Sequence, residues 1–191
     1  MRRARPRPPP VCASPHPPSC GAVAAVAERY PDLVLLQLDA HADLRESWLG
    51  GRHSHACAMR RCLEVLPSGE LLQLAIRSGT KEEFQELRRE QRLVGLQQLA
   101  ERLPAIQGRP LYLTVDLDWF DPSVMPGTGT PEPGGYLWAD FAQLTDLLQG
   151  QNLVAADVVE LAPGLDASGC SSVLAAKVVR SLLLSLSCSN K

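Results

Sequence analysis

Two short stretches decide the fold and the chemistry of this chain: Asp39-Ala40-His41-Ala42-Asp43 and Asp116-Leu117-Asp118. Each follows a run of apolar, β-prone residues, from Leu33 to Leu38 in the first case and from Leu111 to Val115 in the second. Because side chains alternate along a strand with a period of two, the acids and the histidine of each stretch are expected on one side of a strand end. Carboxylates and imidazoles that converge on one spot suit Mn²⁺ or a similar divalent ion, so the two stretches predict a metal site.

The size and composition of the chain argue against several other classes of function. With 191 residues, the chain is expected to form one domain with a substantial core. The formal net charge is −2, so nothing favours binding to nucleic acid or to an anionic membrane. The basic N-terminus is not followed by an apolar segment, so no signal peptide is expected. We interpret the scattered cysteines as reduced thiols of a cytoplasmic protein: Cys12, Cys20, Cys57, Cys62, Cys170 and Cys188.

The most apolar segment of the sequence runs from Val173 to Leu186 and is interrupted by Lys177 and Arg180. It falls short of the roughly 20 residues that span a bilayer. The segment is therefore expected to be a core-facing helix, and no membrane association is expected.

The order of polar, apolar and turn-forming segments predicts an α/β domain over residues 19–191. Residues 1–18 are basic and rich in proline, so this stretch is expected to be an extended or disordered tail. Ser19 is expected to cap a first helix that runs to Tyr30. Strands are expected at 33–38, 71–76, 110–116 and 153–159, and helices at 54–66, at 80–92 with a second helical stretch to Leu103, at 138–149 and at 169–187. This alternation indicates a parallel sheet covered on both faces, with ligands at the carboxyl ends of the strands.

Three blocks of the sequence resemble the ureohydrolases, also called the arginase/agmatinase family, and most closely the bacterial agmatinases. They are the stretch 39–43, the stretch 115–135 with its glycine-rich Pro126-Gly127-Thr128-Gly129-Thr130-Pro131-Glu132-Pro133-Gly134-Gly135, and Asp157-Val158-Val159-Glu160-Leu161-Ala162-Pro163. Their order and spacing extend the resemblance over residues 19–187. The resemblance implies a three-layer αβα parallel sheet, here expected to lack the first strands because only 15 residues precede His16. It also implies hydrolysis of a guanidino group to an amine and urea, and a homo-oligomer (trimer or hexamer).

By the same resemblance, the chain holds two Mn²⁺ ions, and six residues bind them: His16, Asp39, His41, Asp43, Asp116 and Asp118. Asp39 and Asp116 match the bridging ligands. His16 and Asp43 would complete one site, and His41 and Asp118 would complete the other. The register of His16 favours a ligand, whereas the surrounding Ala13-Ser14-Pro15-His16-Pro17-Pro18 differs from the family's glycine-rich segment and leaves open that His16 belongs to a disordered tail.

Two further residues match the catalytic groups of the family. Glu160 matches the carboxylate that pairs with the planar guanidinium group, although a helix-capping or surface role stays open. His55 matches the loop histidine that transfers a proton to the leaving amine, a role that suits imidazole because it titrates near neutral pH. The neighbouring His53 is the alternative and is expected to be an exposed loop residue.

Two hypotheses of different classes follow. The first is a manganese amidinohydrolase that converts agmatine to putrescine and urea, since the sequence after Asp43 offers no arginase-like loop to grip an α-amino acid; other guanidino acids or amines stay open. The second is a truncated, catalytically impaired relative that binds metal or pairs with another subunit.

Overall fold

A computed structural model describes residues 16–188 of the chain as helices alternating with parallel strands. The helices are α1 Ser19–Ala27, α2 Ala58–Val65, α3 Lys81–Arg89, α4 Leu96–Arg102, α5 Trp138–Leu147 and α6 Cys170–Cys188. The strands are β1 Val34–Leu38, β2 Leu71–Leu74, β3 Leu93–Val94, β4 Pro110–Asp116 and β5 Asn152–Val159. A short 3-10 turn at His55–Cys57 leads into α2, and another at Leu117–Trp119 directly follows β4 and contains Asp118.

The described strands form one five-stranded sheet in the order β3-β2-β1-β4-β5, and every pair is parallel. The central strands β1 and β4 are neighbours, with Leu38 paired to Val115. The strand β5 lies on the other side of β4, with Val159 paired to Asp116. The carboxyl ends of three adjacent strands therefore lie side by side, which is where ligands of such sheets bind.

Apolar side chains cover both faces of the sheet. Leu36, Leu113 and their neighbours pack on one face against α4, α5 and α6. Leu35, Tyr112 and their neighbours pack on the other face against α1, α2 and α3. Because both faces of the strands are buried, their sequences are nearly continuous apolar runs rather than alternating ones. The expected three-layer αβα parallel fold is confirmed.

Three local predictions differ from the structure. Ser19 is the first residue of α1 rather than its cap; the cap position is Pro18, without a side-chain hydrogen bond, and the helix ends at Ala27, before Tyr30. The strand expected at 71–76 ends at Leu74, because Ala75 adopts a positive φ of 73°. The two-residue strand β3 was not predicted, since it lies between two helices and is too short to show a periodic pattern.

The proposed tail boundary at residue 18 lies at the edge of the described chain. Residues 16–18 form a turn that leads into α1, and the side chain of His16 is buried. Residues 1–15 lie outside the described residues, so the expectation of a disordered tail there stays a prediction.

Helix α6 is the one described helix that is long and apolar enough to cross a bilayer by length and composition, a test that core helices also pass. Four of its side chains are buried in the core: Ala175, Val178, Leu182 and Leu186. Their spacing of three and four residues places them on one helix face, which packs against β5.

Candidate metal centre

The site is built where β1 and β4 end. Asp39 directly follows β1, and Asp116 is the last residue of β4. Backbone N–H groups hold the carboxylates: Asp118 N–H donates to Asp116 Oδ1 over 2.9 Å, and His41 N–H donates to Asp39 Oδ1 over 2.6 Å. Ala40 N–H reaches across and donates to Asp118 Oδ1 over 3.0 Å. The bond from Ala40 to Asp118 joins the two stretches, which the sequence places at neighbouring strand ends.

The local geometry that aligns these residues is not simple strand alternation. The strand β1 ends at Leu38, and Asp43 has a positive φ of 55°. Between them, Arg77 and Ser78 each donate a backbone N–H to the carbonyl of Ala40 over 2.8 Å. The expected alternation along a strand is therefore wrong for residues 39–43: the chain leaves β1 after Leu38 and turns over the end of the sheet, and this turn brings the side chains together.

His16 lies in the middle of this arrangement with no exposed surface. Its Nδ1 is 3.3 Å from Asp39 Oδ2, 3.0 Å from Asp43 Oδ2 and 3.3 Å from Asp116 Oδ2. Its Nε2 is 3.3 Å from the hydroxyl of Thr114. If Nε2–H donates to that hydroxyl, the lone pair of Nδ1 faces the three carboxylates, which is the orientation of a metal ligand.

The candidate ligands fall into two groups that share Asp39. In the first, one ligand atom each from His16, Asp39 and Asp116 lies within 4.8 Å of the others. In the second, Asp39, His41 and Asp118 satisfy the same limit, and His41 Nδ1 lies 2.9 Å from Asp118 Oδ2. Asp43 joins the first group through its contact with His16. This arrangement would suit two neighbouring cations linked by a shared carboxylate.

The buried carboxylates and histidines of the site shift one another's pKa values strongly. Burial and the charge of Asp39 raise the pKa of Asp43 to about 7 and raise that of Asp116 well above its usual value. Burial lowers the pKa of His41, but hydrogen bonds to neighbouring carboxylates outweigh it and raise the pKa to about 11. The same balance raises the pKa of His16 well above 6.5. Buried carboxylates can ionise together only with positive partners, and divalent cations would supply them.

The donor set fits such cations by a further observation. The side chain of His16 is fully buried, and its Nδ1 lies 3.0–3.3 Å from one oxygen of each of three carboxylates, the position of an atom that would share a cation with them. Each of the two ligand groups offers carboxylate oxygens and one imidazole, a set that suits Mn²⁺ and similar divalent cations better than soft, thiolate-preferring metals.

A pair of buried glutamines supports the site and was missed from the sequence. Gln37 Nε2 donates to Asp39 Oδ2 over 2.6 Å, and Gln73 Nε2 donates to Gln37 Oε1 over 2.6 Å. Gln37 and Gln73 are paired neighbours on β1 and β2, and both are fully buried. The available signal in the sequence was a single glutamine within each of the apolar strands β1 and β2.

Glu132, in the glycine-rich loop, was also missed. Its Oε1 lies 3.7 Å from His41 Nε2 and accepts from the Ser78 hydroxyl over 2.9 Å. A carboxylate beside the outer nitrogen of a ligating histidine orients the ring and raises its basicity. Glu132 lies in the glycine-rich loop 126–135, but its position in the sequence does not show that its side chain faces His41.

Arg77 holds that loop in place. Its guanidinium donates to the backbone carbonyl of Asp118 over 2.7 Å and to that of Glu132 over 2.8 Å. It also reaches the carbonyl of Pro133 over 3.2 Å. A Cβ at Gly135 would lie 2.5 Å from the backbone of Phe120 and Asp121, so the loop passes too close for any side chain there.

A pocket of about 510 Å³ opens over the candidate ligands. Its lining includes charged and aromatic residues from several loops: His41, Arg45, Trp48, His55, Glu83 and Glu160. The structure thus places His55 and Glu160 on the same pocket. His55 is exposed at the start of its 3-10 turn, and the exposed His53 is not among the pocket-lining residues.

Glu160 directly follows β5 and has a positive φ of 63°. The backbone N–H of His16 donates to its Oε1 over 2.7 Å. This bond ties the carboxylate to the segment that carries a candidate metal ligand. Glu160 is therefore neither a helix cap nor a free surface acid.

Comparison with known proteins identifies relatives of this chain in sequence and in fold. The model of the arginase family matches residues 16–185. An agmatinase from Bacillus anthracis is 39% identical over 170 residues, which cover 84% of this chain and 57% of that protein. A guanidinobutyrase from Pseudomonas aeruginosa is 31% identical over 173 residues, which cover 83% of this chain and 54% of that protein. The crystal structure of a candidate agmatinase from Clostridium difficile superposes with a TM-score of 0.88 at 37% identity, over 93% of this chain and 67% of that one.

The parallel sheet and the paired carboxylate–histidine groups define an α/β protein of the arginase-like class. The match over residues 16–185 shows that the chain belongs to the arginase family. It spans little more than half the length of the Bacillus anthracis and Pseudomonas aeruginosa proteins, 57% and 54% respectively.

Proposed function

We propose that the chain is a manganese-dependent amidinohydrolase that converts agmatine and water to putrescine and urea. The observation that supports this most strongly is the pair of ligand groups sharing Asp39 beneath a pocket that also contains Glu160 and His55. When bound, two such cations lower the pKa of water and supply Lewis acidity for hydrolysis. His16, Asp39, Asp43 and Asp116 would hold one ion; the other would be held by His41 and Asp118 together with the two bridging aspartates.

Glu160 would bind the guanidinium group of the substrate. Its Oε1 already accepts from His16 N–H, so its second oxygen is the one available to the substrate. A carboxylate oriented by a backbone donor can offer its second oxygen to the N–H groups of a planar guanidinium cation. The bond to His16 also links substrate position to the metal-binding segment.

His55 would move a proton at the pocket mouth. His55 is an exposed residue of the pocket wall, where an imidazole could take a proton from solvent and deliver it to the leaving amine. The leaving putrescine nitrogen needs one proton to depart as a neutral amine.

A guanidino acid is the second candidate substrate because Arg45 lies on the pocket wall and could pair with a carboxylate. However, Arg45 already has partners: its Nε is 3.7 Å from Glu83 Oε2, and its guanidinium lies 4.0 Å from the ring centre of Trp48. This partnership reduces the positive field at the pocket mouth, so we favour a substrate with an amine tail.

Urea release tests both substrates directly. The Mn²⁺-loaded chain is incubated with agmatine and, in parallel, with 4-guanidinobutyrate, and urea is measured. We expect faster release from agmatine and no urea from either after His55→Ala and Glu160→Ala are combined. Faster release from 4-guanidinobutyrate, abolished by Arg45→Ala, would reverse the choice of substrate. Two bound Mn²⁺ ions without urea from either compound would favour the impaired metal-binding relative.

A cytoplasmic location and a trimeric or hexameric assembly belong to the same proposal. Within residues 16–187, Cys20, Cys57, Cys62 and Cys170 are free thiols, which is compatible with a reducing compartment. Sedimentation analysis of the purified chain would give the assembly state.

A further inference from the structure

The candidate ligand Asp43 lies in a turn that two helices hold from outside the metal centre. Its φ of 55° is uncommon for a residue other than glycine, so the contacts around it must maintain this conformation. Both backbone groups of the next residue, Leu44, are engaged. Its N–H donates to Glu83 Oε1 over 2.9 Å, and its carbonyl accepts from Arg60 Nε over 3.0 Å. Since Glu83 lies in α3 and Arg60 in α2, the turn is fastened to both helices directly after the ligand.

The side chain of Arg60 is itself held in a fixed direction. Its two terminal nitrogens donate to the two carboxylate oxygens of Glu86 in α3, over 3.1 Å and 2.5 Å. Arg92 also donates to Glu86, over 3.0 Å. The side chains of this arginine–glutamate pair are only 26% and 17% exposed. Because the guanidinium is planar and its fork is occupied by Glu86, its remaining N–H group is directed at the carbonyl of Leu44.

Backbone hydrogen bonds join the same turn to the segment that carries His55. The N–H of Arg60 donates to the carbonyl of Asp43 over 3.1 Å, and the N–H of Arg45 donates to the carbonyl of Ala56 over 3.1 Å. Ala56 directly follows His55 in the 3-10 turn that leads into α2. The segments 43–45 and 56–60 are therefore bonded to each other at both ends, and a displacement of one would be felt by the other.

We propose that Arg60 is a positioning residue that keeps Asp43 in its metal-binding turn and links this turn to the segment that carries His55. The roles of Asp43 and His55 rest on the proposed function, whereas the contacts of Arg60 can be tested in the metal-free chain. Arg60 is not among the residues that line the pocket, so its influence passes through the backbone of Asp43 and Leu44.

Titration of the full chain with Mn²⁺ measures the first consequence. Arg60→Ala should weaken the site that contains Asp43 by about 10–100-fold, the usual range for loss of a group that orients a metal ligand, and should leave the other site unchanged. Arg60→Lys should weaken the same site less, because an ammonium group keeps the charge beside Glu86 but cannot replace all three donors. Arg89→Ala removes an exposed arginine–glutamate pair of α3 and is the matched control.

The pattern of the two binding steps separates positioning from a general loss of structure. Selective weakening of one step in Arg60→Ala, with both steps intact in Arg89→Ala, would support the proposal. Equal weakening of both steps in Arg60→Ala, or two steps as tight as in wild type, would overturn it.

Hydrogen exchange of the metal-free chain separates this inference from the proposed function. In Arg60→Ala, the amides of Leu44 and Arg45 should exchange about tenfold faster than in wild type, because a side-chain bond that holds their turn is lost, while amides of β4 keep their wild-type rates. Unchanged exchange at Leu44 and Arg45, or an equal rise in β4, would overturn the positioning role. Faster exchange at these two amides would support that role even in a chain that releases no urea from agmatine, a result that would contradict the proposed function alone.

Discussion

At the scale of single residues, Glu160 and His16 are proposed to have different roles although they are hydrogen-bonded to each other. Glu160 is the proposed guanidinium partner and accepts a hydrogen bond from the backbone of His16, while the ring of His16 faces the candidate metal ligands. Neither role follows from residue type alone. Each depends on a partner distant in sequence, which makes both roles testable with changes that preserve side-chain shape.

Glu160→Gln should weaken use of the substrate without loss of metal. Glutamine keeps an oxygen for the His16 N–H bond but removes the charge that pairs with guanidinium. Losing one partner of such a pair costs about 2–5 kcal/mol, which corresponds to a fall in kcat/KM of about 30-fold or more. Steady-state urea release and metal analysis check it, with Glu101→Gln on the exposed face of α4 as the control. Unaltered kinetics in Glu160→Gln would remove Glu160 from the role of guanidinium partner.

Thr114→Val should weaken one metal site and spare the other. The change keeps the shape of a fully buried side chain but removes the hydroxyl beside His16 Nε2. Loss of a hydrogen bond that orients a ligating histidine commonly costs about 10–100-fold in metal affinity. Titration with Mn²⁺ should then separate a tight step from a weak step. If both steps stayed equally tight, Thr114 would not position His16.

At the scale of elements, the carboxyl ends of β1, β4 and β5 carry the site, and one arginine fastens the loop above them. Arg77 bonds to backbone carbonyls of both the Asp118 turn and the Glu132 segment. Its planar, forked donors suit several carbonyls at once, which a lysine ammonium cannot match.

Arg77→Lys should therefore loosen the loop 121–135. Because charged hydrogen bonds contribute about 1.5–3 kcal/mol each, we expect a loss of about 2 kcal/mol in the free energy of unfolding, with faster proteolysis inside the loop. Denaturant unfolding and limited proteolysis with mass mapping would measure these effects. Arg102→Lys, in the last turn of α4, is the matched control. Equal proteolysis of the two variants would show that Arg77 does not hold the loop.

Most helices and strands could be predicted from the sequence, and those that could not have identifiable physical causes. The continuous apolar run of β4 gave its bounds, because a strand buried on both faces shows little else. The helix α3 was visible from its charged face, and its Thr80–Glu83 capping box sets its start. The strand β3 could not be predicted, because two residues are too few to show a periodic pattern. The roles of Gln37, Gln73 and Glu132 could not be predicted either, because their hydrogen-bond partners lie in other strands and loops. The candidate ligands could be chosen from the motifs, but the turn at Asp43 that gathers them could not.

At the scale of the whole molecule, the site concentrates buried charge that the fold must balance. Protons and cations compete for the same ligand atoms. The raised pKa values of Asp43, about 7, and His41, about 11, mean that protons occupy these groups near neutral pH before metal binds.

Affinity for Mn²⁺ should therefore rise with pH. Metal binding must displace protons from His41 and partly from Asp43, so lowering the pH from 8 to 6 is expected to weaken binding by about tenfold or more per pH unit. Calorimetry in buffers with different ionisation enthalpies would report proton release at the same time. An affinity independent of pH over this range would show that these groups do not bind the metal.

The central claim is that two cations share Asp39 and Asp116 at the ends of β1 and β4, and metal stoichiometry tests it most directly. The purified chain and its Asp116→Asn variant are dialysed against Mn²⁺ and analysed for bound metal, with Asp146→Asn, an exposed acid of α5, as the control. We predict about two Mn²⁺ ions per chain in wild type and control, and less than one in Asp116→Asn, because both sites lose a bridging carboxylate. Unchanged stoichiometry in Asp116→Asn would contradict the assignment of this site.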